Sequence, residues 1–245
     1  MRPTRPTIVA AATAVVLAGV AAGYVLQRSS PQTQHPSAAR PAISVRPPAA
    51  VVAAARPVHR APAQPHDRVA AAAPTAFRIK GAGFDIKANV CQMENVRPLD
   101  PPGDQLHTVC WVRSGFGVAP GSASGGTSYI LGHAWAEAKL VFNPLSELAS
   151  KEINQHPPQV NKGVATIPVK RLDGYRITLR TAKGTLTYVV RKAFAVRKMQ
   201  AADVHSLMAN SPDRVVLITC AVAGGVDLDY NIVVYAYLIS SVATM

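Results

Sequence analysis

Nucleophilic chemistry needs a nucleophile and a group that moves its proton, and two residues of those types stand at the ends of apolar runs. Cys220 closes the apolar run "VVLITC" (215–220) before the chain breaks into "AVAGG". His133 follows the run "YIL" after a single glycine. A thiol attacks as the thiolate and needs a base or cation beside it. An imidazole can supply the charge or carry the proton. If the two strands are neighbours, both side chains reach one rim. Each residue alone also has a plainer reading: a free thiol is a common core filler, and a lone histidine a loop residue. The other thiols are Cys91 and Cys110. They lie in adjacent candidate strands and can bridge, leaving Cys220 free, but geometry decides such pairings. A Cys220 disulfide is therefore a third reading. His107, His156 and His205 lack metal-ligand spacing such as His-x-x-x-His. No metal or cofactor is expected.

The elements that must position these residues begin at Phe77. "FRIKGAGFDIKANV" alternates and predicts one or two strands. "TVCWVR" (108–113) and "TSYILGHAW" (127–135) continue the pattern, and "VFNPLSEL" (141–148) reads as a helical turn. "GVATIPVKR", "YRITLRT" and "GTLTYVVRKAFAVR" are strands separated by "LDG" and "AKG" turns. "QAADVHSLMA" (200–209) predicts one short amphipathic helix with Val204, Leu207 and Met208 on a shared face. "RVVLITC" (214–220) and "NIVVYAYLI" (231–239) predict two strong strands. Many short strands with few helices imply a closed barrel over 77–245. Trp111 and Trp135 read as core or groove aromatics, and Glu137 as a loop carboxylate within reach of orienting His133.

The first quarter has a different character. Residues 8–26 form a 19-residue run without a charge. At ~1.5 Å per residue it spans roughly the hydrocarbon core of a bilayer. Arg2 and Arg5 precede it, which favours a cytoplasmic segment 1–7 and an exported remainder. A cleaved signal peptide, cut near "AGVAAG", is the competing reading. Residues 27–76 hold nine prolines and almost no aromatics, the composition of a disordered stalk. Eight Arg against one Asp make residues 1–76 carry +7 of the chain's +13. Such a stalk suits anionic lipid or wall polymers. No nucleic-acid partner is expected, because there is no recognised binding motif and the chain reads as exported.

Against this background, "TSYILGHAW" followed by "VFNPLSEL" resembles the histidine segment of sortases. "VVLITC" resembles their Thr-Leu-x-Thr-Cys run, with Leu217, Thr219 and Cys220 matching and Val216 in place of the first Thr. "NIVVYA" resembles their last strand, closest to the class E/F-like sortases of high-GC Gram-positive bacteria. The resemblance implies a closed eight-stranded sortase-type β-barrel behind a transmembrane helix and disordered stalk. It implies a single-pass membrane protein with an extracellular catalytic domain. It also implies a cysteine transpeptidase that cleaves an LPXTG-like sorting signal of secreted surface proteins between Thr and Gly. Cys220 would form the thioester, His133 would protonate the leaving amine, and an amine acceptor in cell wall or pilin would resolve the intermediate.

The chain departs from the family at one point. Sortases carry an arginine on the strand after the cysteine; alignment on Asn231 puts Asp229 there, and no Arg, Lys or His follows Cys220. Losing one oxyanion donor costs roughly 100- to 1,000-fold in rate, and a carboxylate beside the thiol opposes the thiolate. The expected substitutes are Asn231, Thr219, a backbone N–H, or one of Arg113, Arg176, Arg180 and Arg191. Two further readings are an enzyme that is slow or tuned to an unusual substrate, and a degenerate member that binds a peptide or wall polymer without cleaving it.

Overall fold

The computed structural model describes residues 68–245 except 98, 114, 116, 123 and 124. The expected anchor 8–26 and the stalk as far as residue 67 lie outside the described residues. Among the described residues no helix is long and apolar enough to cross a membrane.

Alternation builds the first wall. In β1 (Pro74–Gly81) and β2 (Phe84–Met93), Phe77, Ile79 and Ile86 are buried while Arg78, Lys80, Asp85 and Lys87 stay in the outer layer. β7 (Arg176–Thr181) repeats this, with Ile177 and Leu179 inward between Arg176 and Arg180. β3 (Thr108–Val112), β4 (Thr127–Leu131), β8 (Gly184–Arg197), β9 (Arg214–Ala223) and β10 (Val226–Ala243) complete the barrel. The strands run β10-β9-β4-β3-β2-β1-β7-β8, and β8 pairs back onto β10. Eight strands thus close the ring, so no open edge is left in it. β6 (Val164–Val169) and β5 (Gln159–Asn161) extend the sheet from the far half of β8.

Two apolar layers follow from this path. Phe77, Ile79, Ile130, Ile177, Leu179, Leu217, Ile232 and Val234 fill the interior. β4, β9 and β10 are buried on their outer faces as well, where Tyr129, Val216, Val233 and Tyr235 meet Val204 and Leu207. Those two residues belong to the connection between β8 and β9, which therefore lies flat on the barrel wall. The Tyr129 hydroxyl donates to the Leu207 carbonyl at 2.6 Å, and the Arg214 guanidinium donates to the carbonyls of Ser206 and Ala209.

Four elements differ from expectation. The helix expected over 200–209 is a 3₁₀ segment, Lys198–Asp203, and a four-residue helix α2, His205–Met208. Val204 between them is extended, so its side chain turns into the wall rather than along one helix face. β10 starts at Val226, five residues before the expected 231. β1 starts at Pro74 and Val69 is already in the core, so the boundary drawn at 77 falls inside folded structure. β5 was not anticipated, because its three residues are all exposed and too few to show a period.

Candidate active site

Strand register brings the two sequence-derived residues together. β4 and β9 are parallel neighbours with Leu131 opposite Ile218. His133 lies two residues past Leu131 and Cys220 two past Ile218, so they leave the pairing side by side. The Gly132 N–H continues the ladder by donating to the Ile218 carbonyl at 3.2 Å. On the other side Asn231 of β10 is the register partner of Cys220. Leu131, His133, Ile218, Thr219, Cys220 and Asn231 share the wall of one cleft of about 410 Å³. Its opposite side comes from the β2–β3 connection (Leu99, Asp100, Pro101) and the β8–β9 connection (Lys198, Met199, Met208). A second hollow of about 250 Å³ reaches Cys220 and His133 from the side of Trp135, Lys198 and Asp227.

The segment after His133 is held by contacts that explain its residue types. A Cβ on Gly132 would stand 2.5 Å from the Phe142 ring, so only glycine lets that ring seat there. The Phe142 N–H donates to the His133 carbonyl at 2.9 Å. Asn143, first residue of helix α1 (Asn143–Ser150), accepts from the N–H groups of Trp135 and Leu140 and donates to the Trp135 carbonyl. Ser146, one turn on and fully buried, ties α1 to the cysteine strand. Its hydroxyl donates to the Cys220 carbonyl at 2.8 Å and accepts from the Val222 N–H at 2.7 Å. The "VFNPLSEL" turn therefore clamps both sequence-derived residues. Asn143 and Ser146 carried no role in the sequence reading, which saw only a helical turn.

The electrostatics are less simple. Cys220 is the free thiol, whereas Cys91 and Cys110, opposite one another in the parallel β2–β3 pair, are joined. Burial pushes the Cys220 thiol above its ordinary value; Lys198 pulls it down, and Asp227 and Asp100 push it up. The His133 Nε2 lies 3.0 Å from the Pro101 carbonyl and 3.2 Å from Asp100 Oδ1. Its carboxylate partner is thus Asp100, not Glu137. The β2–β3 connection thus occupies the Nε2 side of the imidazole.

The expected substitutes for the missing arginine divide clearly. Asn231 and Thr219 line the cleft with Cys220. Thr219 is only 4% exposed, and among the described residues its Oγ1 is buried without a hydrogen-bond partner. Arg113 is paired with Glu94, and Arg176, Arg180 and Arg191 are exposed residues that line neither hollow at Cys220. Asp229 is turned away: its carboxylate pairs with Arg197 at 3.4 Å, both side chains well exposed. The carboxylates that oppose the thiolate are Asp227 and Asp100 instead.

The closed barrel thus brings a free thiol and an imidazole to the wall of one cleft. The model of the Sortase domain family matches residues 79–239, and the chain belongs to the sortase family, a family of transpeptidases. Among solved structures the chain is similar to sortase A from Listeria monocytogenes, with 17% identity over 71% of this chain and 92% of that one, at a TM-score of 0.42. It is similar to a lid mutant of sortase A from Corynebacterium diphtheriae, with 18% identity, 71% and 72% coverage and a TM-score of 0.45. It is also similar to a mutant of sortase E from Streptomyces avermitilis, with 13% identity, 70% and 91% coverage and a TM-score of 0.41. No curated protein matches the sequence.

Proposed function

We propose that this protein is a membrane-anchored sortase that cleaves an LPXTG-like sorting signal between Thr and Gly and passes the acyl group to an amine of cell wall or pilin. The observation that carries the reading is the parallel register of β4 and β9, which delivers His133 and Cys220 to one cleft. Anchoring by residues 8–26, with the barrel on the outer face, rests on the sequence pattern.

In the reaction the Cys220 thiolate attacks the threonine carbonyl. The C–S bond forms as the carbonyl π pair moves onto oxygen. Collapse expels the glycine amine, which takes its proton from the His133 imidazolium. The acceptor amine then attacks the thioester, gives its proton back to His133, and Cys220 leaves as thiolate. Splitting the transfer into two steps lowers each barrier. The Asn231 amide, opposite Cys220 in the strand register, is available to position the peptide backbone in the cleft, whereas the Thr219 hydroxyl is buried.

The occupied Nε2 side of His133, with the raised thiol, favours a second reading, a barrel that binds a peptide without cutting it. The test is release and transfer from a fluorogenic Leu-Pro-x-Thr-Gly peptide with hydroxylamine or triglycine as acceptor. The sortase reading predicts acceptor-dependent product that disappears in Cys220→Ala and His133→Ala. Peptide binding without product in the wild-type protein would leave the second reading standing.

A further inference from the structure

An acyl-transfer site that builds negative charge on a carbonyl oxygen beside a buried thiol needs a positive charge or oriented donors there. The strand after Cys220 supplies no cation, and the carboxylate at the aligned position is engaged by Arg197. The cleft itself contains two basic residues, Arg97 and Lys198. Only Lys198 also lines the second hollow, which shares Cys220 and His133 with the first. It therefore borders Cys220 from both openings.

Its position follows from the register. Val196 of β8, Asn231 of β10 and Cys220 of β9 stand in one row across the sheet. Lys198 comes two residues after Val196, where β8 ends and the 3₁₀ segment begins. The Arg197 side chain goes outward to Asp229 and to the Tyr230 ring. Lys198 goes to the cleft. Among the described residues no carboxylate pairs with it.

We propose that Lys198 is the positive charge of this active site, its Nζ donating to the oxyanion formed when Cys220 attacks and taking the place of the absent arginine. The inference rests on the acyl-transfer reading above and adds to it a residue from a different strand. The field at the thiol agrees: Lys198 exerts the strongest charge effect on Cys220 and is its one favourable one. Arg97 lines the first cleft but not the second hollow. Asp229 then has no catalytic duty, which is consistent with its outward pairing.

Two readouts on the full chain separate this placement from the peptide chemistry. The first is alkylation of Cys220 by iodoacetate relative to iodoacetamide, one probe anionic and one neutral. A cation at the thiol favours the anionic probe. Lys198→Met should lower the rate ratio roughly threefold, the size of one charge interaction across a wet cleft. Lys198→Arg should keep it, and so should Arg197→Met. The second is turnover of the Leu-Pro-x-Thr-Gly peptide. Lys198→Met should lose about 100- to 1,000-fold in kcat with KM within threefold, and Lys198→Arg should recover most of the loss. Lys198 is exposed, so these variants fold. An unchanged alkylation ratio in Lys198→Met, or a ratio lost in Arg97→Met instead, overturns the proposal. So does full kcat in Lys198→Met. Failure of the acyl-transfer reading has a different mark: peptide is not turned over by the wild type, while the alkylation ratio still falls in Lys198→Met.

Discussion

Replacing Ser146 with alanine removes one hydroxyl and orphans two backbone groups of the cysteine strand. Around Cys220 the sheet is thin. β4 pairs with β9 only as far as Ile218, and the register of β10 skips between Asn231 and Asp227. Ser146 fills this gap through the Cys220 carbonyl and the Val222 N–H. Ser146 and Val222 are almost wholly buried, so no water replaces the lost partner. Each buried group left unpaired costs about 1–3 kcal/mol, which gives roughly 2–6 kcal/mol for the pair. That is a large share of the ~5–15 kcal/mol that holds a domain folded. With a urea slope of about 2 kcal/mol/M, the midpoint should fall by roughly 1–3 M. The strand end also gains freedom, and misplacing a reacting atom by ~1 Å costs on the order of 100-fold. We expect kcat on the peptide to fall by that order with KM little changed, and Ser146→Thr to restore both readouts. A midpoint shift below ~0.3 M together with unchanged kcat would refute the clamp.

Other substitutions test the neighbouring contacts. Gly132→Ala drives a Cβ into the Phe142 ring; a loss of about 1–3 kcal/mol and reduced turnover are expected from denaturation and kinetics. Asp100→Asn removes one of the two carboxylates that push the Cys220 thiol up, and the charged partner of His133. Iodoacetamide alkylation measured against pH should shift its midpoint downward, so that labelling at pH 7 becomes faster; a midpoint unchanged or moved upward would contradict that account. Asp229→Arg places a second cation beside Arg197 rather than at the thiol. It should give no gain in turnover, whereas a tenfold gain would show that the cleft lacks its cation.

The sequence carried the parts of the site that lie at strand ends and left out the parts that depend on distant register. Gly132, His133, Thr219 and Cys220 were readable because each adjoins an unmistakable apolar run. The barrel was readable because β1, β2 and β7 alternate cleanly. Asp229 was misplaced as a neighbour of the thiol because alignment on Asn231 assumes an unbroken strand. The register between Asn231 and Asp227 is broken, which turns Asp229 outward and brings Asp227 to the cleft side. Lys198 was missed because it precedes Cys220 by a whole connection, and only the β8–β10–β9 row brings the two together. Ser146 was missed because a serine in a helical turn gives no local sign of a partner on another element. Asp100 was missed for the same reason, being carried by a connection without periodicity.

The central claim is that Cys220 forms an acyl intermediate with a peptide while His133 protonates the leaving amine. Intact-mass spectrometry of the protein quenched in acid during turnover of the Leu-Pro-x-Thr-Gly peptide tests it directly. The account predicts an adduct of the mass of the Leu-Pro-x-Thr acyl group on Cys220, discharged by hydroxylamine and absent in Cys220→Ala. In His133→Ala the adduct should form far more slowly. A folded wild-type protein that binds the peptide yet never carries the adduct, or an adduct that persists in Cys220→Ala, would contradict the account.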